Sequence, residues 1–283
     1  MSNPSPTRSW AQTLAWRSLR RLALTVVFAA ALSTPALADF EAGWRAYQQG
    51  DFATALTVWR PLAEAGDARA QFNLGIMFDQ GRGVARDRES AILWWRKASE
   101  QGMARAMHNL ANIYLSGEGA APDYEEALKW LRLAAEKGLA RSQYTLGKMY
   151  SYGLGVAPDE AQALTWYRKA AEHGFDRAQY TLGKMYRDGV GGLEASAEEA
   201  ARWFRRAAEQ GYAKAQSHLG SRYARGEGVP KKEIEALMWM ILAADRGHPA
   251  AIENAKILRG RLSARQIAEA ERAVAAWVPR SDR

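Results

Sequence analysis

The chain of 283 residues contains no cysteine. This excludes disulfides, thiolate-ligated zinc or iron–sulfur clusters, a cysteine nucleophile and a lipid anchor on cysteine. It has only four histidines, and no pair stands at the spacing of metal ligands. H-E-x-x-H, G-x-S-x-G and S-x-x-K do not occur. No metal, cofactor or catalytic residue is therefore expected, and a hydrolase is the weakest of the functional alternatives. Proline is scarce, at nine residues, and no apolar run is long enough to span a bilayer.

Alanine is abundant instead: 55 residues, with eleven Trp, in a chain 48% hydrophobic by count. Alanine counts as apolar but drives little burial, and together with Leu, Glu, Arg and Lys it favours helix. The formal charge is +8, which invites a nucleic-acid or membrane reading and makes the location of the charge important.

Residues 1–38 account for half of it. Arg8, Arg17, Arg20 and Arg21 stand there with no acid, before the apolar run Leu22–Leu32 and the small residues Ala36-Leu37-Ala38. This is the order of a secretory signal peptide with cleavage after Ala38. Export by the general route is favoured over the twin-arginine route, since little around Arg20-Arg21 fits the latter. Cleavage leaves Asp39–Arg283 with 35 basic and 31 acidic residues, a net +4. The expected location is the periplasm of a bacterium or its exterior, with no stable membrane anchor. A monomer that binds no nucleic acid is expected.

Internal repetition organises the rest. Blocks begin at Asp67, Met103, Leu139, Phe175, Tyr212 and His248, spaced 36, 36, 36, 37 and 36 residues apart. Leu74, Leu110, Leu146, Leu182 and Leu219 recur, each followed by Gly or Ala and, four residues on, by Phe or Tyr. Positions i and i+4 share a helix face, and the small residue suggests close approach of a partner helix. A glycine pair follows, the first glycine placed to end the helix in the left-handed conformation. Asp87, Asp123, Asp159 and Ser196 then read as N-caps of a second helix, with Lys232 breaking the pattern. In that second helix Trp94, Trp130, Trp166, Trp203 and Trp239 recur between alanines and read as core.

Each block is a helical hairpin that cannot bury its large residues alone, so neighbours stack. The expected fold is all-α: a right-handed α-solenoid forming one continuous array. Its segments are 1–38 signal, 39–66 N-terminal hairpin, 67–247 five repeats and 248–283 degenerate capping repeat. The repeats run 67–102, 103–138, 139–174, 175–211 and 212–247. In the cap, Ala255, Lys256 and Arg259 replace Leu, Gly and aromatic, a charged face suited to a chain end.

The pattern A-x-A-Q-x-x-L-G-x-x-Y-x-x-G-x-G-V, continued by D, A and W-Y-x-K-A-A-x-x-G, resembles the Sel-one-like repeat family, relatives of tetratricopeptide repeats. Residues 67–247 carry it, and residues 39–66 are more like a tetratricopeptide unit. The resemblance implies a non-enzymatic protein that binds protein or peptide partners as scaffold or adaptor. Two rivals stand beside this: a regulator of exopolysaccharide or envelope assembly that binds a glycan or synthase, and the hydrolase.

The resemblance also implies that the first helix of each repeat lines a concave groove. Lining positions include Arg141, Tyr144 and Lys148, then Arg177, Tyr180, Lys184 and Arg187, and these form the candidate partner-binding site. Tyr144, Tyr152 and Tyr180, outside the repeated core columns, read as surface contacts. The column Arg69, Arg105, Arg141, Arg177, Lys214 is wholly basic. It could clamp carboxylates of an acidic partner, or pair with Glu64, Glu100, Glu136, Glu172 and Glu209, each five residues earlier, as an ion-pair ladder. The ladder is the preferred reading. Lys148, Lys184 and Arg187 lack such periodic partners, which leaves the middle of the groove positive. His173, in a column of polar residues, reads as solvated.

Overall fold

The computed structural model describes residues 34–117 and 121–280. The signal expected over residues 1–38 lies outside them, apart from its last five residues, which open the first helix. Fourteen α-helices and no strand occur among the described residues. Contacts gather into two compact units that part between Gly102 and Met103.

The first unit holds α1 (Thr34–Gln48), α2 (Phe52–Glu64), α3 (Ala68–Gln80) and α4 (Arg88–Glu100). The second holds α5 (Ala104–Ser116), α6 (Tyr124–Glu136), α7 (Ala140–Tyr152), α8 (Glu160–Glu172), α9 (Asp176–Asp188), α10 (Ala197–Glu209), α11 (Ala213–Arg225), α12 (Glu233–Ala244), α13 (Pro249–Arg259) and α14 (Ala264–Ala276). Within each unit consecutive helices pack as hairpins, and α14 returns onto α12. Among the described residues no helix is long and apolar enough to cross a membrane.

Local chemistry sets the helix ends. Asp87, Asp123, Asp159 and Ser196 accept from the backbone N–H three residues ahead, the N-cap bond that satisfies an orphan donor. Lys232 makes none. The helices before these loops end on Gly81, Gly117, Gly153, Gly189 and Gly226, all left-handed. The second loop glycine serves stacking. A Cβ on Gly83 would lie 2.7 Å from Phe52 Cβ, and one on Gly191 2.9 Å from the Glu160 carbonyl. These two loops thus rest on the first turn of the preceding hairpin's second helix.

The helical glycines admit the partner helix closely, as the sequence suggests. At three of them the close group is a ring: a Cβ on Gly147 or Gly183 would stand 2.8 Å from Tyr167 or Phe204, and Gly75 faces the Trp95 indole likewise, whereas at Gly220 it is the Ala236 carbonyl, 3.1 Å away. These rings belong to the residue after the repeated Trp. Trp95, Leu131, Tyr167, Phe204 and Met240 are 0–5% exposed. The repeated Trp is less uniformly core than expected: Trp130, Trp203 and Trp239 are buried, but Trp94 and Trp166 are only half-buried. There Lys97 and Lys169, one turn on, place their ammonium groups over the indoles at 4.5 and 4.3 Å, a cation–π arrangement.

A buried glutamine column ties hairpins together. Gln71, Gln143, Gln179 and Gln216 donate Nε2 to the carbonyls of Ala63, Ala135, Ala171 and Ala208, eight residues back, at 2.9–3.2 Å. Their Oε1 atoms face forward. Gln71 and Gln179 accept from Gln101 and Gln210 at 2.8 Å. Gln143 meets His173 Nδ1 at 2.8 Å, so the exposed His173 is a structural partner rather than a freely solvated ring. The relay has no member in α5, where Met107 takes the glutamine's place. It also ends at Gln216, whose Oε1 is buried without a partner. Arg246, which occupies the forward position, turns to the Leu242 carbonyl and the Trp277 ring.

Ser263 opens α14 with a full capping box, and Trp277 closes it against Trp239 at 6.4 Å. Ala255 is buried while Lys256 and Arg259 are exposed. Ile252 and Ile257 are also about half exposed, so the cap's outer face is not purely charged.

Candidate partner-binding face

Helices α7 and α9 share the heptapeptide YTLGKMY, residues 144–150 and 180–186. Leu146, Gly147 and Met149, like Leu182, Gly183 and Met185, are buried. Arg141, Tyr144 and Lys148 stand at i, i+3 and i+7, as do Arg177, Tyr180 and Lys184, with Arg187 three further. That spacing places each set on one stripe of its helix. The five cations are exposed and the two tyrosines half-buried.

The tyrosines are not free surface contacts as the sequence suggests. Tyr144 packs between Tyr167 and Phe175, centroids 5.5 and 5.2 Å away. Tyr180 packs between Phe204 and Tyr212 at 5.7 and 5.3 Å. Burial raises the Tyr180 and Tyr212 hydroxyls above the ordinary phenol range, and the neighbouring Tyr144 phenol adds to both. The result is a row of aromatic rings running from α7 past α9 to the start of α11. Tyr152, by contrast, is 67% exposed, with Lys148 Nζ 6.0 Å from its ring.

The ion-pair ladder is not formed. Among the described residues no ion pair joins Arg141 to Glu136, Arg177 to Glu172 or Lys214 to Glu209, and Arg69 pairs with Asp67 at 2.8 Å. The physical reason is the turn: acid and base lie on different helices across a left-handed glycine such as Gly138. The i,i+4 proximity of a continuous helix does not apply to them. Arg187 departs from expectation in the other direction. Its Nε and Nη2 donate to the Asp188 carboxylate at 2.6 and 2.7 Å. Asp188 ends α9, where the helix dipole disfavours an acid, and the guanidinium holds its carboxyl below the usual carboxylate range.

Two groups escaped sequence reasoning. His218 points its Nε2 at the Tyr180 hydroxyl, 3.3 Å away, and stacks on Phe204 at 5.0 Å with 20° between planes. Burial, then Arg187, Arg222, His248 and Lys184, lower its pKa to about 4, so it is neutral at pH 7. Arg222 occupies the column of Met77, Ile113, Met149 and Met185 and is 4% exposed. Its guanidinium lies over Phe204 at 5.3 Å, with Nη1 facing the Ala197 and Glu227 carbonyls at 3.4 and 3.3 Å. The repeat columns held the signal for each: a histidine where the other repeats place Asn or Thr, and an arginine where they place Met or Ile.

Two lining positions of neighbouring repeats are closed. Ser217 is buried, and His108 is 5% exposed with Nδ1 2.9 Å from Ser142 Oγ. Burial, with a smaller contribution from Arg141, lowers the His108 pKa to about 4. No cluster of three or more His, Asp or Glu among the described residues could hold a metal ion.

The Sel1 repeat family model matches residues 68–103, 104–139, 140–175, 176–212 and 213–248, each starting one residue after the blocks read from the period. The structure is similar to that of c5321, a protective antigen of uropathogenic Escherichia coli strains with an SLR fold: TM-score 0.74, 33% identity, 86% of this chain covered. The chain spans about half of that protein, 53%. A Sel1 repeat protein from Oxalobacter formigenes matches with TM-score 0.68 and 33% identity over 77% of this chain and 86% of its own. No curated protein matches.

Proposed function

This chain belongs to the Sel1 repeat family, whose members are generally protein–protein interaction scaffolds, and from that premise we propose that it is an exported adaptor for an acidic peptide segment. The peptide lies along the stripes of α7 and α9.

One observation carries the reading. Arg141, Lys148, Arg177 and Lys184 stand exposed beside a packed tyrosine row, and no ion pair among the described residues neutralises them. Side-chain cations that are not matched internally attract carboxylates, and rigid rings between them offer apolar contact at low entropic cost. Arg187 contributes less than its formal charge, because Asp188 already occupies two of its donors. Export is supported by Arg8, Arg17, Arg20 and Arg21 ahead of Leu22–Leu32.

Crosslinking in intact cells, followed by identification of the captured protein, tests the reading. The captured partner should bind wild type and lose at least tenfold in affinity against Lys148→Glu/Lys184→Glu with the helical circular dichroism unchanged. Undiminished binding would place the interface elsewhere, and capture of an acidic glycan instead would favour the envelope-assembly alternative. Fractionation should find a periplasmic form whose N-terminal residue is Asp39.

A further inference from the structure

His218 is a titratable side chain that the binding face places among cations. The cations that act on it are Lys184 and Arg187 of α9 and Arg222 of its own helix α11, and His248, whose Nδ1 accepts from the Ala251 N–H, adjoins them at the start of α13. Two acids adjoin the group: Glu227 acts on Arg222, and Asp188, at the end of α9, has both carboxylate oxygens taken by Arg187. The Tyr180 hydroxyl meets the ring at Nε2, and Phe204 supports it from below. The imidazole is thus oriented by a phenol, held flat by a phenyl ring and set among positive groups.

We propose that Tyr180, Lys184, Arg187 and His218 form one anion subsite, which takes a ligand carboxylate together with a proton on His218. This rests on the acidic-peptide reading above and names the position where that peptide's strongest contact falls. The physical chemistry is reciprocal. Positive neighbours oppose a further positive charge on the imidazole, and a carboxylate brought among them cancels that repulsion. Whatever makes protonation easier when ligand is bound makes the ligand bind more tightly when protons are abundant. Lys184 and Arg187 keep their charge across the whole range, so the change with pH comes from the ring. His173 is occupied by Gln143, His108 by Ser142, and His248 accepts the Ala251 N–H at its Nδ1, which leaves His218 as the histidine facing this ligand.

The test is titration calorimetry of the purified protein with a synthetic aspartate-rich peptide at pH 5, 6 and 7. Aspartates with ordinary pKa of about 3.9 stay more than roughly 90% ionised at pH 5, so the peptide's own titration can only weaken binding there. Tightening by about tenfold from pH 7 to pH 5 is expected, with one proton taken up per peptide. In NMR titrations the His218 ring should move from a pKa of about 4 to near 6 with peptide bound. The ratio of affinities at the two pH values should fall to near one in His218→Gln, whatever that variant's absolute affinity. Binding at pH 7 with no tightening at pH 5, or an equal ratio in His218→Gln, would overturn the subsite and leave the adaptor reading standing. Absence of binding at every pH would overturn both.

Discussion

The third and fourth repeats present the same heptapeptide, residues 144–150 and 180–186, in two different settings. In the third, Tyr144 packs on Tyr167 and Phe175, and His108, from the second repeat, is sealed against Ser142. In the fourth, Tyr180 packs on Phe204 and Tyr212 and its hydroxyl reaches His218, a half-buried ring among cations. The difference teaches that a repeat's binding chemistry is decided by its neighbours. The buried columns make the hairpin, and the next hairpin along determines what the exposed stripe can do.

That comparison can be broken first where the two repeats should be alike. Gly147→Val and Gly183→Val each force a branched side chain into a ring that already stands 2.8 Å from the Cβ position. Overpacking of this kind costs about 3 kcal/mol. Equal losses by urea denaturation are expected, and a twofold disparity would show that the two hairpin cores differ after all.

The next effect separates the histidines. His108 is nearly fully buried, with its folded pKa at about 4 against an ordinary 6.5. The unfolded chain therefore takes up the proton first. The stability that neutral His108 protects is complete above pH 6.5 and is lost as pH falls toward 4, by about 2 kcal/mol at pH 5. His108→Phe/Ser142→Ala restores the residues that other repeats hold in these columns. Its unfolding free energy should decline less between pH 7 and 5 than that of wild type, and a parallel decline would acquit His108.

Charge at the two stripes comes third. Lys184→Glu should weaken an aspartate-rich peptide about tenfold, some 1.4 kcal/mol, and Lys148→Glu about threefold, because only Lys184 sits beside the cationic group around His218. Reversed sensitivities in a binding titration would move the centre of the face to the third repeat. Smallest is the phenol. Tyr180→Phe removes the contact to His218 and should cost about 0.5–1 kcal/mol. Tyr144→Phe should be neutral in thermal unfolding, and equal effects would deny the hydroxyl its role.

Much of the architecture is legible from the period. The N-cap Asp and Ser, the left-handed glycines and the Leu–Gly pairs act within a few residues, so their local chemistry is readable wherever they recur. Legibility fails where the partner comes from another helix. Glu136 and Arg141 are five residues apart and do not pair, because Gly138 turns the chain between them. Gln143 is visible as a repeated letter, yet its two bonds go eight residues back and thirty ahead. Tyr144 and Tyr180 read as exposed because their columns vary, whereas each repeat covers its own tyrosine with a different ring.

The amino-acid sequence by itself determined the helices, their ends, the 36-residue register and the family, since capping, glycine conformation and apolar spacing are short-range properties that repetition amplifies. Only the tertiary structure decided which cations stay unpaired, which rings pack beside them and which histidine meets them. Those outcomes depend on distances between side chains tens of residues apart, and stacking alone sets those distances.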